Sequence, residues 1–203
     1  MRLLVLIVIL TSTRVLFAQN NNHDSIIINY GGFCSYENNI IINNSGKNIK
    51  IVRSQYIGFD ESLLCKKNKK EFKKLQKNFV KTESKKEKKA ILDRINELYK
   101  LGSVYKKDST QFIASTNLSY VRLFHSISVR DKLLLERNYD DKRIILDGTH
   151  FKIDVIKNNT LDKSVFVHAP SEKSHPLIYK FYRSTMDILN YERDKFKKST
   201  NKI

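Results

Sequence analysis

Residues 66–102 read KKNKKEFKKLQKNFVKTESKKEKKAILDRINELYKLG, and no other stretch limits the fold as strongly. Phe72, Leu75 and Phe79 recur at steps of three and four, which places them on one side of a helix. Ile91, Ile95 and Leu98 repeat that spacing, and Leu92 and Tyr99 widen the stripe. No apolar residue lies between Val80 and Ala90. The spacing therefore predicts two helices, over residues 69–81 and 85–101, rather than one long rod. Asn68 with Glu71 and Ser84 with Glu87 each give a cap followed three residues on by a carboxylate. Gly102 is expected to stop the second helix in a left-handed conformation.

The charge is concentrated in the same stretch. Residues 66–108 carry 16 Lys or Arg against 6 Asp or Glu, a local net of +10 within a chain of +17. The candidate contact face for an anionic partner is Lys69, Lys70, Lys73, Lys74, Lys77, Lys85, Lys86, Lys88 and Lys89. The competing reading is a solvated helix surface, since the joint excess of Asn, Ile and Lys is what AT-rich coding also produces. Specific nucleic-acid recognition is not expected. The chain has no helix-turn-helix, zinc-finger or RNP signature.

At the start, Met1-Arg2 precedes eight apolar residues, 3–10, and the polar interruption 11–14. Val15-Leu16-Phe17-Ala18 then leads to Gln19. This has the form of a secretory signal over residues 1–18, cleaved after Ala18. The interruption leaves the run well short of the roughly 20 apolar residues a membrane span needs. The exported chain, residues 19–203, is expected to lose Arg2 and Arg14, to carry +15, and to begin with a short flexible arm at 19–22. Its expected location is periplasmic or extracellular. Two cysteines, Cys34 and Cys65, make one candidate disulfide in an exported protein.

On either side of the helical stretch the pattern is strand-like. Residues 25–30, 39–43 and 48–56 are rich in β-branched side chains, with a turn at 44–47. In the third, Ile49 and Ile51 alternate against Lys50 and Arg53. Beyond residue 110, strands are expected at 111–115, 119–126, 132–137, 143–146, 150–156 and 164–168. Asp147-Gly148 signals a hairpin. In 150–156, Phe151, Ile153 and Val155 share one face, and His150, Lys152, Asp154 and Ile156 the other. Pro176 opens a last helix, 176–193, followed by a frayed basic tail containing Lys195, Lys197 and Lys198.

The expected fold is a single α+β domain. Its mainly antiparallel sheet is packed by the Lys-rich helical segment, about 69–101, and the C-terminal helix. Two small domains split near residue 109 would leave too few strands on the N-terminal side to stand alone.

Catalytic signatures are sparse. Glycines 31 and 32 lack the context of a nucleotide loop, and there is no G-x-S-x-G elbow. No H-E-x-x-H grouping is present. A His/Asp metal site would require His150, Asp154, His168 and His175 to converge. The sequence thus implies no catalytic residue, no cofactor and no metal. It implies a non-enzymatic binding or structural role at the cell envelope or outside the cell, on an envelope protein or an anionic surface. The alternatives are a secreted inhibitor or immunity-type protein and a small metal-dependent hydrolase using those histidines.

Overall fold

A computed structural model describes residues 24–32, 38–140 and 148–200. The expected signal segment, the arm, Cys34 and the strand at 143–146 lie outside the described residues. Among the described residues the fold is α+β, a six-stranded antiparallel sheet with five α-helices. The strands are β1 (Asp24–Gly31), β2 (Asn38–Asn44), β3 (Asn48–Phe59), β4 (Ser103–Ile113), β5 (His150–Lys157) and β6 (Thr160–His168). The helices are α1 (Lys66–Lys81), α2 (Lys85–Gly102), α3 (Leu118–Val129), α4 (Lys132–Glu136) and α5 (Pro176–Thr200). The sheet order is β4-β3-β2-β1-β5-β6. The chain divides into two compact units, one of Met1–Arg53 with Asp108–Ile203 and one of Ser54–Lys107. β3 and β4 each run from one unit into the other.

In the first unit, period-two alternation builds the core. Ile26 and Ile28 of β1 sit opposite Ile42 and Ile40 of β2, and opposite Val155 and Ile153 of β5. All six are essentially buried. Their neighbours in the strand face the other way, where Asn39 Nδ2 donates to Asn29 Oδ1 at 2.8 Å. One sheet face is thus apolar and buried, while the other sets the half-buried Ile27 and Ile41 beside Asn29 and Asn39. Tyr120, Phe124 and Ile127 of α3 and Ile178, Phe181 and Leu189 of α5 join the same apolar cluster.

Two turns have the backbone their residues favour. Gly46, at φ +77°, turns β2 into β3, and its N–H donates to Asn44 Oδ1 at 2.9 Å. Asn158 and Asn159, at φ 50° and 61°, join β5 to β6 in a two-residue hairpin. That tight turn starts β6 at Thr160, four residues before the expected 164–168.

Several expectations are corrected. The segments 119–126 and 132–137 are not strands: the first lies in α3, and the second is α4 with Arg137 as its C-terminal cap. Asn117 caps α3 by accepting from Tyr120 N at 3.2 Å, and Asp131 caps α4 by accepting from Leu133 N at 2.8 Å. Spacings of four and three between Tyr120, Phe124 and Ile127 then override the strand preference of aromatic and β-branched residues. The strand expected at 111–115 starts at Ser103. Its N-terminal half is mostly exposed and carries Lys106 and Lys107, which hides the alternation but suits the edge of a sheet. At the opposite edge, the N–H of Phe166 in β6 donates to Glu136 Oε1 at 2.8 Å. The last helix begins at Pro176 and runs to Thr200, so it includes the tail expected to fray.

The second unit has its own small core. Leu64, Phe72 and Leu98 are buried, with Phe59, Leu75 and Ile95 against them. Phe59 stacks on Tyr99 at 4.8 Å and on Phe72 at 5.3 Å between ring centroids. Two helices form, and Ser84 Oγ accepts from Glu87 N at 3.5 Å as the capping box requires. The first helix starts at Lys66, with Cys65 as its cap, so Asn68 lies inside it rather than at its end. Gly102 does not take a left-handed conformation. A β-carbon there would lie 2.3 Å from the Phe59 ring, so glycine is required by close approach instead.

Candidate functional site

Helical geometry decides where the lysines of α1 point. With successive residues about 100° apart, Lys66, Lys67, Lys69, Lys70, Lys73, Lys74, Lys77 and Lys81 fall within an arc of about 160°. Phe72, Leu75 and Phe79 occupy the opposite side, where Phe72 and Leu75 join the small core. Glu71, the one carboxylate of α1, lies outside the lysine arc. It is held by α2, where Arg94 donates from Nε to Glu71 Oε1 at 2.7 Å and from Nη2 to Oε2 at 3.1 Å. Arg94 Nη1 also donates to Glu97 Oε2 at 2.6 Å. The bidentate hydrogen bonds from Arg94 hold the Glu71 carboxyl below the usual carboxylate range.

Of the nine lysines expected to form the contact face, Lys70, Lys73, Lys74, Lys77, Lys85, Lys86 and Lys89 are exposed. Lys69 and Lys88 are half-buried. Among the described residues, Lys73 alone of the nine is in an ion pair, with Glu61 at 3.0 Å. The lysines of α2 share their side of the helix with Asp93 and Glu97, so the uncompensated charge belongs mainly to α1.

The histidines do not converge as a metal site would require. His150 and His168 are opposite one another across β5 and β6, with rings stacked at 4.3 Å and 11°. Asp154 does not join them. It pairs with Lys152 Nζ at 2.8 Å and accepts from Ser164 Oγ at 2.5 Å. His175 is buried at the start of α5, its Nδ1 3.1 Å from Ser174 Oγ. Among the described residues no three His, Cys, Asp or Glu side chains are placed to hold a metal ion.

Two further spacings bear on chemistry. Cys65 is exposed at the start of α1, while Cys34 lies outside the described residues. Ser103 and Lys106 stand in an S-x-x-K spacing, but on a strand those positions face opposite ways. Ser103 Oγ donates to the carbonyl of Tyr99 at 2.9 Å, closing the end of α2. Among the described residues no helix is long and apolar enough to cross a membrane.

A polar cluster inside the first unit was not foreseen. Arg53 is not on the wet side with Lys50 but follows the parity of Ile49 and Ile51 into the core, where it is 4% exposed. Its guanidinium pairs with the Asp108 carboxylate, and Nη1 lies 3.8 Å from Met186 Sδ. In the same unit Tyr30 and Tyr182 pack edge-on, with ring centroids 5.5 Å apart. Burial pushes both phenols above the usual tyrosine range, with proximity of Tyr182 adding to the shift at Tyr30. Parity alone could have placed Arg53. Nothing in the sequence points to its partner, 55 residues away. No protein-family model, no curated protein and no solved structure matches the chain.

Proposed function

We propose that this is an exported binding protein, with no catalytic role of its own, that docks on an anionic phospholipid surface through the lysine side of α1. The observation that carries the reading is the distribution of charge on that helix. Eight lysines share one side, and only Lys73 of them is in an ion pair among the described residues, with Glu61. Glu71 and Glu97 are engaged by Arg94. The residue type also supports a laterally averaged surface over a shaped anion site. Residues 54–107 hold 15 Lys and a single Arg. Lysine presents a hydrated point charge, whereas arginine offers the fork that reads individual phosphates. From Lys66 to Lys81 the stripe runs about 22 Å at 1.5 Å per residue, enough to meet several headgroups at once.

The test is co-sedimentation of the full chain with vesicles of phosphatidylglycerol and phosphatidylcholine, against phosphatidylcholine alone, at low and high salt. Binding is expected only to the anionic vesicles and is lost as salt screens the contact. Each lysine near such a surface contributes about 1 kcal/mol. The triple variant Lys70→Glu, Lys74→Glu, Lys77→Glu should therefore bind at least roughly 100-fold more weakly. Equal binding to neutral vesicles would overturn the reading, as would an inert triple variant. A tight, salt-insensitive complex with one protein would replace it with the inhibitor reading. Export is tested separately by fractionating cells that express the full chain. A product outside the cytoplasm beginning at Gln19 supports it, and an uncleaved cytoplasmic product overturns it.

A further inference from the structure

The first unit also contains a cavity of about 300 Å³, distinct from the lysine surface. Its lining combines Tyr30 at the end of β1, Phe151 near the start of β5 and Tyr179 and Tyr182 on α5. Thr149 and the Ala169-Pro170 turn form the remainder. We infer that this cavity binds a small, neutral, planar ring compound bearing a hydrogen-bond acceptor. The ring would lie against the aromatic wall and the acceptor would meet a tyrosine hydroxyl.

Four observations support the assignment. Three of the rings already form one wall. Tyr30 stacks on Phe151 at 5.7 Å and 19°, and Tyr182 meets both edge-on, at 5.5 Å and 4.9 Å. Stacked and edge-on pairings are the arrangements an added planar ring would extend. Second, Tyr30 and Tyr182 both line the cavity and pack edge-on, and each brings a phenolic O–H able to donate. Burial keeps both phenols protonated, so they act as donors. Third, among the described residues no charged side chain lines the cavity, and Arg53 is engaged by Asp108. That composition favours a neutral ligand over an ion.

The fourth observation concerns the rim. Ala169 has φ +42°, a left-handed conformation that a side chain disfavours. It is held by its N–H, which donates to the carbonyl of Thr149 at 2.8 Å, and is followed by Pro170. A strained, tied turn gives the cavity a fixed wall without ligand. The volume is at the lower end of the range of small-molecule sites and equals that of about ten liquid waters.

The probe is acetophenone, a planar ring with one carbonyl acceptor. Cyclohexyl methyl ketone is the control, with the same acceptor on a puckered, saturated ring. Binding to the full chain is read by equilibrium dialysis and by saturation transfer to the ligand protons. Acetophenone is expected to bind saturably at or below about 1 mM, and at least tenfold more tightly than the control. Thr149→Trp fills the mouth from an exposed position and should abolish binding without changing the melting temperature. Tyr182→Phe keeps the ring and removes the hydroxyl, and should weaken binding about fivefold. Absence of saturable binding, equal affinity for the two ketones, or unchanged binding by a folded Thr149→Trp variant would each overturn the inference.

Discussion

In the sheet unit, nineteen described residues form one buried cluster, drawn from five strands, three helices and the short 3-10 turn at Ala114. In the helix-pair unit the corresponding cluster is Leu64, Phe72 and Leu98, with three half-buried neighbours. The charge runs the other way. Residues 54–107 carry 16 Lys or Arg against 7 Asp or Glu. One unit is therefore stabilised mainly by apolar burial. The other combines a small core with like charges that repel one another when folded. The comparison teaches that a basic binding surface and a robust core need not share the same residues. The helix pair is the part expected to open locally at the lower free energy.

The largest test breaks each core separately. Phe181 is fully buried in the sheet unit, so Phe181→Ala should lower global stability by about 3–5 kcal/mol. Phe72→Ala removes a ring of similar size from the small core. Its expected effect is confined to loss of amide protection over α1 and α2, with β1 and β5 still protected. Hydrogen exchange on both variants reads the difference. Uniform loss of protection in both would mean that the units unfold together.

The second test uses the buried charge. Asp108→Ala leaves the Arg53 guanidinium in the core without its counter-ion. That change should destabilise by about 3–5 kcal/mol. A double variant, Arg53→Met with Asp108→Ala, should recover much of the loss, because it removes the unpaired charge itself. Urea melts of the single and double variants measure this. Failure of the double variant to recover would assign Asp108 a role beyond neutralising Arg53.

The contrast between the units also explains what could be read from the sequence. β1, β2, β3 and β5 were legible because β-branched residues alternate in short runs bounded by turns. The helix pair was legible from its three-and-four spacing and from Ser84. Its basic surface was legible by counting. α3 was not, because Tyr120, Val121, Phe124 and Ile127 are good strand formers, and its cap, Asn117, is a common residue in this chain. β4 was obscured at the sheet edge, where exposed side chains remove the alternation. The cavity left no trace in the spacing. Tyr30, Phe151 and Tyr182 come from β1, β5 and α5, and the sheet order brings them together.

Gly102→Ala sharpens the account of the small core. On helix propensity alone, alanine for glycine stabilises by up to about 1 kcal/mol. Here the new β-carbon would meet the Phe59 ring at 2.3 Å. Overpacking of about 1–3 kcal/mol should win, and protection over α1 and α2 should fall. A gain in protection would show that Phe59 moves aside at little cost. Ser84→Ala is a smaller perturbation at the start of α2. It removes an exposed cap and should cost about 1 kcal/mol, read by the same exchange measurement.

The smallest effect is expected at Glu71, and its pH dependence isolates the tie between the two helices. Arg94 holds the folded Glu71 carboxyl below its ordinary value, so the pair stabilises the folded state where the unfolded carboxyl is ionised. That contribution is fully present above the unfolded value of about 4.3. It disappears as the pH falls through the lower folded value, because protonation removes the charge Arg94 recognises. Glu71→Gln should therefore reduce protection of α1 and α2 slightly at neutral pH, and the gap from the parent chain should close in acid. Added salt should narrow the gap as well, since the pair lies at the surface. A gap that stays constant from neutral pH into acid would mean that the carboxylate charge is not what joins α1 to α2. The aromatic stack around Phe59 would then be the principal link between the two helices.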